Sequence, residues 1–309
     1  MLFDYDISLA KYNRNIINPS QTKKLIFDLQ KYSFSPLFIA VDVEGGNVNR
    51  LKQSYGFFPI MSAEKMAEDK TQETSKNESE KIAKELKEAG FNMNLAPVVD
   101  LNINPKNPII GALERSFSSD FMEVFNNAKV FIKMHTDNNI ITVAKHFPGQ
   151  GSGVVDSHLA TTDITNTYKN EEIIPYEKLN NEGLLSAIMT AHIVNKKIDD
   201  KYPATLSKKF LQNILRNQIE FKGVIISDDI QMAAISDNYK MDEAIILAIN
   251  AGVDIISASN NTNKYDKDLA YKISDIIFNA VKSNKIEEKR IIESFDRILN
   301  VKKQFKIIN

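Results

Sequence analysis

Cysteine and tryptophan are both absent from this 309-residue chain. Without cysteine there is no disulfide, no thiolate metal site and no cysteine nucleophile. Without tryptophan, any stacking on a flat ligand must use Phe, Tyr or Met232. Charge of one sign is missing too: the formal net charge is −1, and no basic block creates a field for steering onto nucleic acid. No apolar run approaches the ~20 residues of a membrane span. The opening MLFDYDISLAKYNRN has neither the basic start nor the apolar centre of a secretory leader. What remains is an ordinary globular composition, 43% hydrophobic and 26% charged, long enough for a full core.

The apolar runs are short, β-branched and separated by helical patterns. Leu37–Val41, Met93–Val99, Ile140–Ala144, Leu185–Met189, Gly223–Ile226 and Val253–Ser257 read as buried parallel strands, with Leu2–Tyr5 a weaker candidate. Ser207 reads as an N-cap ahead of Phe210, Leu211, Ile214 and Leu215 at helical spacing. Lys81–Ala89 puts Ile82, Leu86 and Ala89 on one face and stops at Gly90, and Asp242–Asn250 stops in the same way at Gly252. The last segment, Glu287–Phe305, repeats Ile291, Phe295, Ile298 and Leu299 on one stripe. Unbroken alternation of strand and helix predicts one α/β domain over residues 1–309.

Polar residues end almost every strand: Asp42, Asp100, Lys145 with His146, His192, Asp228, and Ser257 with Asn260. An open sheet gathers ligand at one switch point, whereas a barrel brings all its strand ends around one mouth. The pattern predicts a TIM-type (β/α)8 barrel. It supplies seven strands, so the first strand–helix unit is expected to be short or absent.

The stretch Ala144–His158, AKHFPGQGSGVVDSH, is the densest in chemistry. In an extended loop Asp156 and His158 point the same way, so the carboxylate orients the imidazole and raises its basicity. That suits a general acid that later acts as a base; the plain alternative is a loop hydrogen bond. Ser227-Asp228-Asp229 follows an apolar run. One Asp there is a nucleophile or an electrostatic stabiliser of a developing cation, unless it only caps a helix near Ile230. With two, Asp229 can face the helix and Asp228 the mouth. Lys145 and His146 are donors for hydroxyls, Asp42 a bidentate acceptor, and Arg115 a clamp, each against a structural or surface reading. The glycines after Asp42 fit a tight turn or a close ligand approach. GQGSG at 149–153 lacks the Lys-Ser/Thr and helix start of a phosphate cradle. His146, His158, His192 and Asp228 lack the early H-x-H of metal-dependent barrel hydrolases, so neither metal nor cofactor is expected.

In this order, VDVEGGNVNR (41–50), APVVD (96–100), ERSF (114–117), KHFPGQG, DSH, TAH (190–192) and FKGVIISDDIQM (221–232) resemble glycoside hydrolase family 3. Within it the match is to single-domain bacterial β-N-acetylhexosaminidases of peptidoglycan recycling. The resemblance covers nearly the whole chain and implies a retaining exo-β-N-acetylglucosaminidase. Asp228 would form the covalent glycosyl-enzyme, His158 oriented by Asp156 would be the acid/base, and Asp42, Arg115, Lys145 and His146 would hold the terminal sugar. Substrates would be peptidoglycan fragments or chitooligosaccharides, with no nucleic-acid or membrane partner, and the chain would be a monomer. Gln150 and Asn47 depart from the family's usual His (PGHG) and Arg (EGGRV). Two competing readings are a phosphorylase, whose neutral histidine would repel phosphate less than a glutamate, and a non-catalytic sugar-binding barrel. A cytoplasmic place is the default expectation; a periplasmic one follows if the natural start lies upstream.

Overall fold

The computed structural model describes residues 1–156 and 161–308. Five parallel strands form its centre: β1 (Ala40–Val41), β2 (Met93–Asn94), β3 (Ile141–Phe147), β4 (Ala187–Thr190) and β5 (Val224–Ile226), adjacent in sequence order. Their registers run Ala40 to Met93, Met93 to Ile141, Val143 to Ala187 and Ala187 to Val224. A bridge from Ile226 to Ile255 adds a sixth stave. Beyond β1, the Leu2 amide donates to the Ala40 carbonyl at 2.9 Å. The ring comes round through Asn261, whose amide group bonds the Tyr5 carbonyl and the Ile7 amide, both at 3.0 Å. This is a TIM-type barrel with an incomplete set of staves.

Side-chain alternation explains its two layers. Met93, Ile141, Val143, Ala187, Met189, Val224 and Ile226 make an inner cluster, which Val301 of the last helix (Glu288–Gln304) and Phe305 just after it join. Val41, Ala144, Ile188 and Ile225 turn outward into the larger cluster beneath the helices. The end of the chain thereby covers one end of this inner row.

Several strand ends differ from expectation. β2 stops at Asn94, short of Val99, because Pro97 has no N–H to give a ladder and only Val98 bridges on, to Lys145. β3 instead runs on through Lys145 and His146 to Phe147, and only Ile255 of the expected Val253–Ser257 strand pairs. Leu2–Tyr5 does not form one strand: Tyr5–Asp6 pairs antiparallel with Lys11–Tyr12.

The helices extend Glu73–Ala89 and Met241–Ala251, and end on Gly90 and Gly252 as expected. Ser207 Oγ accepts from the Phe210 amide at 3.3 Å, and the helix that follows, Lys209–Gln218, is wound in the wide i→i+5 pattern. In the last helix Phe295 is exposed, not part of the inward stripe; Ser294 and Val301 are the buried positions. Among the described residues no helix is long and apolar enough to cross a membrane.

Candidate active site

The C-terminal strand ends surround a cavity of about 390 Å³. Asp42, Arg115, Lys145, His146, Asp156 and Asp228 all line it, so six of the seven predicted site residues converge. The seventh, His158, lies outside the described residues.

Asp42 and Glu44 leave β1 two positions apart and therefore face the same side. The turn after them needs glycine: Gly45 and Gly46 have φ of 97° and 55°, and a Cβ on Gly45 would come within 2.0 Å of the Met61 carbonyl oxygen. That seats Glu44 in the floor, where its carboxylate takes both Nε (2.7 Å) and one terminal nitrogen (2.8 Å) of Arg115. Lys145 Nζ lies between Asp42 Oδ1 (2.8 Å) and Glu44 Oε1 (2.7 Å). The remaining Arg115 nitrogen donates to the Ile109 carbonyl at 2.6 Å. Arg115 is thus held by protein groups on both sides while it lines the cavity.

All these charges are buried, and the pairing fixes them. Burial acts to push the Glu44 carboxyl up, yet Arg115 and Lys145 overcome it and hold the group down to about 2. Burial acts to lower Lys145 and Arg115, but Asp42 and Glu44 raise the first and Glu44 chiefly the second. The site is therefore a preset ionic lattice, with little reorganisation left for a ligand to drive.

Lys145 and His146 are neighbours in sequence, and a strict strand would send them to opposite faces. The register shifts between Ala144 and Phe147, and both reach the cavity. His146 Nδ1 lies 2.7 Å from Asp100 Oδ2, and its Nε2 lies 3.5 Å from an Arg115 nitrogen. Gln150, the departure from the family histidine, is buried at the cavity wall, whereas the Asn47 side chain donates to the Leu113 carbonyl.

At the end of β5, Asp228 Oδ1 accepts from the Asp229 amide at 2.8 Å and Asp228 lines the cavity. Asp229 Oδ1 accepts from the amides of Gln231 and Ser259, so it ties two turns together. It caps no helix, because the nearest helix begins later, at Ala233. His192 is spent on structure: Nδ1 meets Thr205 Oγ1 (2.8 Å) and Nε2 the Asp229 carbonyl (3.0 Å). Burial lowers its pKa, which favours the neutral ring. The backbone N–H groups of the GQGSG segment are also taken, by Asp100 at Gln150, Glu172 at Ser152 and the Gln150 carbonyl at Gly153. None of those three is left to cradle a phosphate.

Glu44, Arg50 and Asp4 were not foreseen. Glu44 was legible, since alternation places it beside Asp42. Arg50 sits between Asp42 (3.7 Å) and Asp4 (3.8 Å) on the cavity wall, and Lys52 also holds Asp4, at 2.6 Å. No spacing rule connects residue 4 to residue 50, because that meeting belongs to the barrel's closure.

A barrel mouth that presents buried carboxylates, fixed cations and hydroxyl-binding donors to one small cavity has the layout of a glycosidase. The model of the glycosyl hydrolase family 3 N-terminal domain matches residues 5–301, and the chain belongs to this family of hydrolases. It is 36% identical over 251 residues to a beta-hexosaminidase of Photobacterium profundum, covering 81% of this chain and 73% of that protein. Beta-hexosaminidase A of Pseudoalteromonas piscicida is 31% identical across 96% of this chain, which spans 53% of that protein. Among solved structures, a family 3 β-N-acetylglucosaminidase from a Paenibacillus superposes with a TM-score of 0.86 at 32% identity. That match covers 95% of this chain and 56% of the Paenibacillus chain, little more than half its length. A β-N-acetylhexosaminidase from Beutenbergia cavernae gives 0.84 at 26% identity, covering 96% and 91%.

Proposed function

We propose that the protein is a retaining exo-β-N-acetylglucosaminidase, with residues 1–309 acting as one catalytic barrel. The observation that carries this is the convergence of Asp228, Asp156, Asp42, Arg115, Lys145 and His146 on one cavity. Asp228 attacks the anomeric carbon as the glycosidic bond breaks, and His158, oriented by Asp156, gives its proton to the leaving oxygen. The imidazole then takes a proton from water, which attacks the glycosyl ester and frees Asp228. Asp42, Arg115, Lys145 and His146 offer acceptors and donors to the sugar hydroxyls, and Arg115 also keeps Glu44 and the floor in place.

The cavity's charge supports water over phosphate as the second nucleophile. Among the described residues, six carboxylates line it (Asp4, Asp42, Glu44, Asp156, Asp228, Asp229) against three cationic side chains (Arg50, Arg115, Lys145). An entering phosphate meets net repulsion at close range. Oligosaccharides ending in N-acetylglucosamine, from peptidoglycan or chitin, are the substrate class.

The test is phenol release from para-nitrophenyl N-acetyl-β-glucosaminide, comparing wild type with Asp228→Ala, with and without added phosphate. Turnover in the wild type alone, as free sugar under both conditions, is the expected result. Full turnover by Asp228→Ala removes the nucleophile assignment, and sugar phosphate among the products makes the enzyme a phosphorylase.

A further inference from the structure

Asp100 is completely buried and makes no contact with the cavity, yet three donors converge on it. Its Oδ2 accepts from the His146 backbone amide at 3.2 Å and meets His146 Nδ1 at 2.7 Å. Its Oδ1 accepts from the Gln150 amide at 2.9 Å. Gln150 opens the turn from which the chain runs out to Asp156. The same turn is held from below by Asn107, whose Nδ2 donates to the Gln150 carbonyl at 2.7 Å, and by Glu172, whose Oε2 accepts from the Ser152 amide at 3.2 Å.

We propose that Asp100 is a positioning residue that couples the sugar-facing histidine, His146, to the turn at Gln150 from which the chain runs out to Asp156. The idea rests on the glycosidase reading for its kinetic consequence but not for its geometry. A carboxylate can accept at both oxygens, and here it must. Accepting at Oδ2 keeps the His146 proton on Nδ1 and leaves Nε2 as an acceptor toward Arg115 and the cavity. Accepting at Oδ1 sets the height of the turn at Gln150. One buried group thereby fixes two parts of the site that belong to different steps: sugar grip, and proton delivery to the leaving group.

The isosteric change Asp100→Asn separates this from a general packing role. Asparagine has a single acceptor oxygen, so its NH₂ group must oppose either the His146 or the Gln150 donors. In the wild type, imidazole-nitrogen NMR should show the His146 proton on Nδ1 at neutral pH, identified by its loss in His146→Ala. In Asp100→Asn, that imidazole signal and the Gln150 amide signal should both move. The kcat/KM of the variant should fall about 10- to 100-fold, the size of one hydrogen bond to a charged group. The loss should be larger for a phenyl glycoside, which needs its leaving oxygen protonated, than for a dinitrophenyl glycoside.

A wild-type His146 proton on Nε2 alone overturns the proposal, whatever the variant does. So does a variant in which either NMR signal stays put, or whose losses are equal for all leaving groups. If the wild type turns over no aryl glycoside, the glycosidase reading fails, and the two NMR signals still decide the coupling.

Discussion

Two buried ionic networks sit at opposite ends of this barrel, and the one at the mouth surrounds open space. At the mouth, Asp42 and Glu44 are neutralised by Lys145 and Arg115 around a cavity of about 390 Å³. At the foot, the Asp254 side chain is completely buried and receives Arg216 (2.7 Å), Arg290 (3.1 Å), Arg297 (3.0 Å) and Ser294 Oγ (2.7 Å). None of those foot residues lines the mouth cavity. Asp254 Oδ2 also accepts from the Ile225 amide at 2.9 Å, tying the last helices to β5. The two ends treat their charges differently. At the mouth the carboxylates hold Arg115 and Lys145 up, whereas at the foot burial, aided by Arg297 and Arg290, lowers Arg216 to about 10. Buried charge alone does not mark a functional site. The mouth is distinguished by ligand-sized space and by groups drawn from many strand ends.

Removing a residue from each end should therefore give opposite phenotypes. The largest effect belongs to the mouth: Asp228→Ala should lower kcat by about a thousandfold or more with little change in Tm. Next comes Asp254→Asn, which weakens the anchor of three arginines. It should reduce unfolding free energy by about 3 kcal/mol in a denaturant titration while the folded fraction keeps its kcat. A loss of kcat in the folded Asp254→Asn protein would erase the distinction between the two ends. Glu44→Gln mixes both phenotypes, since Glu44 is part of the floor and also an ion partner. We expect about 100-fold in kcat/KM and about 2 kcal/mol of stability, read from kinetics and unfolding on the same sample.

A smaller loss should follow Gly151→Ala. The added Cβ would lie 1.6 Å from the Leu101 carbonyl oxygen, so the loop root must shift. The cost should be about tenfold in kcat together with a lowered Tm, because the clash displaces the loop root against the backbone of the buried Leu101. Smallest is a pH effect. The Glu44 carboxyl is at about 2 in the fold against an ordinary 4.5, so its stabilisation is fully present above pH 4.5 and fades as pH falls toward 2. The Tm gap between wild type and Glu44→Gln should narrow across that window; a gap that widens there would show the pairing has been misread.

Much of the mouth was legible in the sequence because local chemistry specified it. Asp42, Lys145, His146 and Asp228 each end a short β-branched run, and a barrel brings such ends together whatever their distance along the chain. Alternation could have added Glu44 as well. The foot was not legible: Arg216, Arg290 and Arg297 look like helix-surface charges until the last helix folds over β5. The barrel's closure was hidden for a similar reason, since Asn261 meets Tyr5 and Ile7 through a side-chain amide instead of a strand ladder. Proline marked the early end of β2 at Asn94, but the apolar run around Pro97 outweighed it in a reading based on hydrophobic pattern. The extension of β3 through Lys145 and His146 was missed because polar residues read as a strand's end, whereas here every residue from Ile141 to Phe147 is buried.

The central claim is that Asp228 is the residue to which the sugar becomes bonded. The most direct measurement is peptide mass spectrometry after brief exposure to a fluorinated N-acetylglucosaminyl fluoride, which loads the nucleophile quickly and leaves it slowly. The account predicts one added glycosyl group on the peptide containing Asp228, and none in Asp228→Ala. An adduct on another carboxylate, or turnover of the reagent with no adduct at any time, would contradict it.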